Sequence, residues 1–229
     1  MNRFTCKRLF ALLMAFVLLA PALTLAETTA AKNAPALTLI GHASVKIKTA
    51  EGTVIYIDPY YDGDYSEKAD IILVSHEHSD HNKVNLCAQN EGCLVLRAKD
   101  TINPDGTYNT FEQAGVKIVP VPAANKNHSI KSSTGFVLTF DGITVYHAGD
   151  TSNLTQMAAL KASNIDYAFF PIDGKYNMDA AQAMECAALV GAKHNTPMHF
   201  FEADPLMFQP ENLLAIAYGE TVELKRAQE

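Results

Sequence analysis

Basic residues and cysteines are both scarce in this chain. Its 229 residues carry 18 Lys and Arg against 25 Asp and Glu, a net charge of −7. That balance argues against a nucleic-acid partner, because such binding leans on neutralising phosphates with basic side chains. The 4 cysteines are Cys6, Cys87, Cys93 and Cys186, and no pair has the C-x-x-C or C-x-C spacing of a zinc site. Cysteine is therefore not expected among any metal ligands. Cys186 lies in an alanine-rich helical stretch and reads as a small packed hydrophobe. Cys87 and Cys93 are read either as a disulfide closing a short loop, if the chain is exported to an oxidising compartment, or as two buried thiols. No sequence repeat and no second domain are evident, and 48% hydrophobic content suits one domain of about two hundred residues with a real core.

One long apolar run stands at the start. Arg3, Lys7 and Arg8 precede residues 9–26, which are acid-free and end in Thr24-Leu25-Ala26, with small residues where signal peptidase cuts. Residues 1–26 are expected to be a secretory signal, residues 27–36 a flexible leader, and residues 37–229 the folded domain. A retained anchor is the alternative, since the run is near the roughly 18-residue lower limit for spanning a bilayer. Pro21 near its end favours cleavage. Removing the signal leaves 15 Lys and Arg against 25 acids. The mature protein is then periplasmic or secreted, without stable membrane association, and no cysteine follows the cut to carry a lipid.

The centre of the reading is Val74-Ser75-His76-Glu77-His78-Ser79-Asp80-His81, which holds three of the 8 histidines. The apolar run before it is short and β-branched, as in a buried strand, so the ligand types sit where a strand opens into a loop. Alternation along extended backbone lets His76 and His78 point to one side and grip a cation. A curl in the chain then brings Asp80 and His81 to a second position. Imidazole mixed with carboxylate suits zinc, manganese or iron(II) and disfavours calcium and magnesium. A histidine-rich surface turn is the plain alternative.

This stretch resembles the metal-binding signature of the metallo-β-lactamase superfamily. Leu39-Ile40-Gly41-His42-Ala43-Ser44, Tyr56-Ile57-Asp58-Pro59, Tyr146-His147-Ala148-Gly149-Asp150-Thr151 and Thr196-Pro197-Met198-His199-Phe200 resemble, in order, small metal-dependent hydrolases related to L-ascorbate-6-phosphate lactonase. The resemblance runs from about Leu37 to the C-terminus. It implies an α/β fold, the four-layer αββα sandwich, with two divalent cations, zinc before manganese or iron, in a groove at one end of the sheets. It places His76, His78 and His128 on one cation, Asp80, His81 and His199 on the other, and Asp150 between them. The loop around His128 departs from the relatives in lacking an aromatic residue and a richer run of glycine. Asp150 also reads as a helix cap, although Ser152 or Asn153 serves that purpose equally well. His42 reads as a turn cap or a pocket residue, and Asp58 as an Asx turn before proline or a partner orienting a ligand imidazole. His147 reads as a buried, hydrogen-bonded neighbour, and His194 as solvent-exposed. The loop Tyr60-Tyr61-Asp62-Gly63-Asp64-Tyr65 either overhangs the site or is a solvated turn.

Helices are expected over residues 84–89, 154–161, 180–190 and 210–218, and hairpins at Gly52 and at Asp141-Gly142. Pro120 and Pro122 mark residues 116–121 as an edge strand. The implied chemistry is a metal-bridging hydroxide attacking a small ester, lactone or phosphodiester, with Asp80 orienting the nucleophile and carrying a proton. Other readings are a periplasmic metal-binding module without turnover, a β-lactamase-type amide hydrolase, or oxygen chemistry of the flavodiiron kind. The last usually needs a carboxylate where His78 stands.

Overall fold

Short apolar runs punctuated by turn residues form two six-stranded sheets among the residues described in the computed structural model, namely Met1 and residues 33–226. The expected signal and most of the leader lie outside these residues. The first half of the chain supplies β1 (Ala36–Gly41), β2 (Ser44–Lys48), β3 (Val54–Ile57), β4 (Ala69–Val74) and β5 (Gln89–Arg97). The second half supplies β6 (Phe111–Gln113), β7 (Val116–Pro122), β8 (Thr134–Phe140), β9 (Ile143–His147), β10 (Tyr167–Pro171) and β11 (His194–Met198). The last strand, β12 (Glu220–Glu223), returns to pair with β1.

The two sheets share one wiring pattern. The orders are β12-β1-β2-β3-β4-β5 and β6-β7-β8-β9-β10-β11. In each, the first three pairings are antiparallel and the last two parallel. Consequently β1, β3, β4 and β5 all end at one rim of the first sheet, and β7, β9, β10 and β11 all end at one rim of the second. Three contacts tie these rims together: Thr134 N–H to the Ser75 carbonyl at 3.0 Å, His199 N–H to the His42 carbonyl at 2.9 Å, and His147 Nε2–H to the Ala43 carbonyl at 2.9 Å.

Between the sheets lies the main core. Ile55, Ile57, Ile71 and Leu73 meet Phe136, Leu138, Val145 and Phe169, all buried, and each such side chain contributes roughly 1.5–3 kcal/mol by leaving water. The outer face of the first sheet presents Val54, Tyr56 and Ile72, covered by Tyr65 and Cys87. The outer face of the second is covered by α2 (Ala180–Val190), the other α-helix being α1 (Ala98–Thr101). The expected sandwich is thus present, with its layer over the first sheet thinned to a loop. Helix α2 has its expected bounds. Asp179 caps it by accepting from Gln182 N–H, and Gly191 ends it in left-handed conformation.

Three helical expectations need correction. Residues 154–161 form a 3₁₀ helix, Thr155–Ser163, headed by Leu154 without a side-chain cap. Residues 84–89 give one 3₁₀ turn, Val84–Leu86, and β5 starts at Gln89. Residues 210–218 are not helical. They lie along β11, whose outer edge takes their hydrogen bonds: Asn195 N–H to the Asn212 carbonyl at 2.9 Å, and Leu214 N–H to the Asn195 carbonyl at 2.8 Å. An unpaired strand edge outcompetes local helix propensity there. The prolines of β7 are accommodated as an edge would be, since β6 pairs only Val116 to Ile118 and leaves the rest of that side open. Asp141-Gly142 turns with φ of 51° and 74°, the primed geometry that suits a two-residue hairpin. Cys87 and Cys93 are free thiols, and burial pushes the Cys87 thiol up to about 12. Among the described residues, no helix is long and apolar enough to cross a membrane.

Gly149 is the tightest point between the rims. Its φ is +62°, and a Cβ there would lie 2.8 Å from the Thr134 carbonyl oxygen and 3.1 Å from Ser75 Cβ. Gly149→Ala is expected to lose about 1–2 kcal/mol from the left-handed backbone alone and more from the clash. Thermal unfolding that leaves the melting temperature unchanged would refute this.

Candidate metal centre

Seven segments at the shared rim deliver polar side chains to one place. The β1–β2 turn brings His42, the end of β3 brings Asp58, and the curl after β4 brings His76, His78, Asp80 and His81. From the second sheet come His128 before β8, Asp150 after β9, Asp173 after β10 and His199 after β11. Their ligand atoms form three overlapping groups able to hold a metal ion: His76, His78 and His128; His76, His81 and Asp150; and His42, Asp80, His81 and His199. Asp150 sits between them. Its Oδ1 is 3.4 Å from both His81 Nε2 and His199 Nε2, and its Oδ2 is 3.9 Å from His128 Nε2.

Whether these residues fit a cation is tested by their unmet needs. His76 Nε2, His81 Nε2, His199 Nε2 and Asp150 Oδ1 are all buried without a hydrogen-bond partner. Leaving such atoms unpaired costs about 1–3 kcal/mol each, and four of them share one small space. Divalent cations would satisfy all four, so the donor set fits.

The opposite nitrogen of His81 and of His128 is hydrogen-bonded from behind, which fixes both tautomer and direction. His81 donates from Nδ1 to Asp58 Oδ2 at 2.8 Å. Asp58 is wholly buried and also accepts from Ser75 N–H at 2.7 Å and Ser75 Oγ at 2.6 Å. His128 donates from Nδ1 to Asn125 Oδ1 at 2.7 Å. Asn125 in turn donates to Asn177 Oδ1, and Asn177 donates to Asp173 Oδ2, at 2.7 and 2.8 Å. That same Asp173 oxygen lies 3.0 Å from His199 Nδ1. A polar chain therefore runs behind the site from His128 to Asp173, with His199 Nδ1 at ion-pair distance from its end but without an aligned hydrogen bond.

Charges shift accordingly. Burial, with the neighbouring His81, drops His76 to about 3. Against its own burial, His81 is pushed up to about 9 by Asp150 and Asp58, while Asp58, likewise against burial, is drawn down to about 2 by His81. Asp80 is held well below the usual carboxylate range, its burial being outweighed by the hydrogen bond from His42 and by His81. His147 is lowered by burial. Its Nε2–H goes to the Ala43 carbonyl and its Nδ1 accepts from Gly149 N–H, so both nitrogens are used and neither faces the cluster.

Of the two readings of His42, turn cap or pocket residue, the geometry favours the pocket. Its Nε2 is 3.3 Å from Asp80 Oδ2 and its ring stands 3.7 Å from that of His199. Asp173, Asn125 and Asn177 escaped the sequence reading. Asp173 had a signal, since it follows a wholly buried strand as Asp58 does. The tyrosine loop divides: Tyr65 is buried under the first sheet, while Tyr60 meets the His42 ring edge-on at 5.5 Å. His194 is half-buried and stacks on Tyr167. The cluster opens to solvent through a cleft of about 420 Å³ lined by His78, Asp80, Asn127, His128, Tyr176 and Phe201 together with Asp150 and His199.

Comparison with known proteins agrees with this geometry. A family model described as a beta-lactamase superfamily domain matches residues 36–199. The chain is 31% identical over 224 residues to a metal-dependent hydrolase of Pyrococcus furiosus, covering 82% of this chain and 99% of the relative. Its fold is similar to a metallo hydrolase of Ignicoccus hospitalis, with a TM-score of 0.66 at 22% identity over 85% of this chain and 100% of the other. It is also similar to a protein of Thermotoga maritima described as a Zn-dependent hydrolase of the metallo-beta-lactamase superfamily, with a TM-score of 0.58 at 27% identity over 77% and 81%.

Two outcomes are expected. Asp173→Asn keeps the shape of the side chain but weakens the grip on His199, so metal affinity measured by chelator competition falls by about 10–100-fold; an unchanged affinity would remove Asp173 from the metal's support. With His81 at about 9, the metal-free imidazole is protonated at pH 7.5 and must lose its proton to ligate. Metal uptake then releases the His81 proton, in addition to any lost by metal-bound water, and the His81 share vanishes above pH ~10. Calorimetry in buffers of different ionisation enthalpy reads it directly.

Proposed function

The chain belongs to the metallo-β-lactamase superfamily and is a metal-dependent hydrolase, and from that premise we propose that it is an exported, dinuclear enzyme that hydrolyses a small ester, lactone or phosphodiester. The observation carrying the two-cation reading is the set of buried, partnerless atoms on both sides of Asp150. His76, His78 and His128 would hold one cation, Asp80, His81 and His199 the other, and Asp150 would offer one oxygen to each. Zinc suits these donors and is the metal in the description of the Thermotoga maritima protein; manganese and iron(II) suit them too. Two such cations, when bound, polarise the substrate's oxygen and let a water shared between them ionise near neutral pH.

The chain's own groups do the rest. Asp58 and Asn125 hold the His81 and His128 rings with their Nε2 atoms inward, so no reorganisation is needed at the moment of reaction. Asp80 stands at the cleft as an anion, partly exposed and held by His42. It would orient the attacking water by accepting its hydrogen bond as the new bond to carbonyl carbon or phosphorus forms. The water's proton passes along it to the leaving oxygen as the old bond breaks, Asp80 remaining the anion its low pKa makes it. No serine or cysteine nucleophile is required. Export rests on residues 1–26 of the sequence, which precede the described residues.

Elemental analysis is expected to give two first-row metal ions per chain, and the metal-loaded protein to turn over at least one member of a panel of lactones, thioesters, phosphodiesters and β-lactams. Asp80→Ala should lose about 10²–10⁴ in kcat. Full metal occupancy with no turnover of any substrate would leave a binding module and end the proposal. Mass spectrometry of the exported chain should find it beginning at Glu27.

A further inference from the structure

Two large aromatic side chains are left out in solvent beside the metal centre. Phe201 is 58% exposed and Tyr176 is 42% exposed, and both line the cleft. Their ring centroids are 6.0 Å apart at 58°. Phe201 also stands edge-on to the His42 and His199 rings, at 4.8 and 5.1 Å. Leaving a phenylalanine this exposed forgoes the stabilisation that burying it gives. Its backbone adds to the cost, with φ of +43°, a region that bulky side chains rarely enter. Tyr176 is placed as firmly. Its N–H donates to Asp173 Oδ1 at 2.6 Å, beside the N–H groups of Lys175 and Asn177 on the same oxygen. Exposure and strain held in place at the mouth of a reactive site point to a ligand that covers the rings.

Charge narrows what that ligand is. No Lys or Arg lines the cleft itself, and the neighbouring Lys175 Nζ lies over the Tyr176 ring, 5.0 Å from its centroid, so its charge is engaged by that ring rather than offered freely to an anion. Four carboxylates, Asp58, Asp80, Asp150 and Asp173, gather at the centre, enough to balance the charge of two divalent cations. An anionic substrate therefore gains little from the field, whereas an uncharged one gains from the aromatic wall.

We propose that Phe201 and Tyr176 form the specificity wall of the substrate cleft, gripping a flat apolar group, and that the substrate is an uncharged carbonyl ester or lactone bearing such a group next to the scissile bond. This rests on the hydrolytic reading above and narrows its three substrate classes. The cleft of about 420 Å³ fits a compound of one or two rings, within the range of small-molecule sites.

The test compares dihydrocoumarin, an aromatic lactone, with δ-valerolactone, the same lactone ring without the fused aromatic ring, and with bis(4-nitrophenyl) phosphate, on zinc-loaded wild type, Phe201→Ala and Tyr176→Ala. The wild type should prefer dihydrocoumarin. Each variant should lose roughly tenfold in kcat/KM for it, through KM, as expected for removing one ring contact, while δ-valerolactone hydrolysis stays within about twofold. Binding of 3-phenylpropanoate against propanoate, followed by calorimetry on the same proteins, gives a readout that needs no turnover: the wild type should prefer the phenyl compound, and each variant should lose that preference. If the wild type hydrolyses nothing yet shows this pattern of binding, the hydrolytic reading fails and the wall survives. Equal losses for both lactones, no preference for the phenyl compound, or faster turnover of the phosphodiester than of dihydrocoumarin would overturn the inference.

Discussion

A carboxylate with no exposure to water has to be fully satisfied or it unfolds its surroundings, and Asp58 is such a group. Its two oxygens take the Ser75 amide, the Ser75 hydroxyl and the His81 imidazole. These bonds lock the end of β3 to the end of β4 and, in the same stroke, aim His81 Nε2 at Asp150. The Ser75 carbonyl then receives Thr134 N–H from the other sheet. One buried acid thus joins strand pairing, sheet-to-sheet docking and the direction of a ligand nitrogen, so disturbing any one of them disturbs the others.

Why the remaining donors arrive at the same point follows from the wiring. With three antiparallel and two parallel pairings in each sheet, four strand ends and one hairpin turn or loop per sheet must emerge at the same rim. Corresponding positions carry the same residue types: the β1–β2 turn bears His42 and the β7–β8 loop His128, β3 is followed by Asp58 and β9 by Asp150. The relation between the halves lies in backbone topology and in these few positions, which are too sparse to show as a sequence repeat.

Much of the site could be read before the fold was known, because the His76 to His81 cluster is local and Asp150 and His199 follow recognisable strands. What stayed hidden was set by distance along the chain. Asn125, Asn177 and Asp173 are ordinary loop residues until 52 residues of separation collapse into a hydrogen bond. The failed helix over residues 210–218 has the same origin, since its propensity was local while the free edge of β11 was not. Phe201 and Tyr176 carry no motif, and only their exposure and placement single them out.

Strain is distributed in the same way. Seven non-glycine residues among those described have positive φ, and four of them, His42, Asp58, His199 and Phe201, with values between 43° and 55°, surround the metal centre. The other three, Ala114, Asp141 and Asn164, are in turns or at a helix end, where such geometry is common. At the centre the left-handed residues are the ligand His199, the wall residue Phe201, and His42 and Asp58, which hold Asp80 and His81, each in a turn leaving a strand, held by bonds such as His199 N–H to the His42 carbonyl. Two sheets packed face to face over-determine these backbones, and that surplus of packing lets a self-repelling group of imidazoles and acids stay assembled, ready to ligate rather than forming anew around each cation.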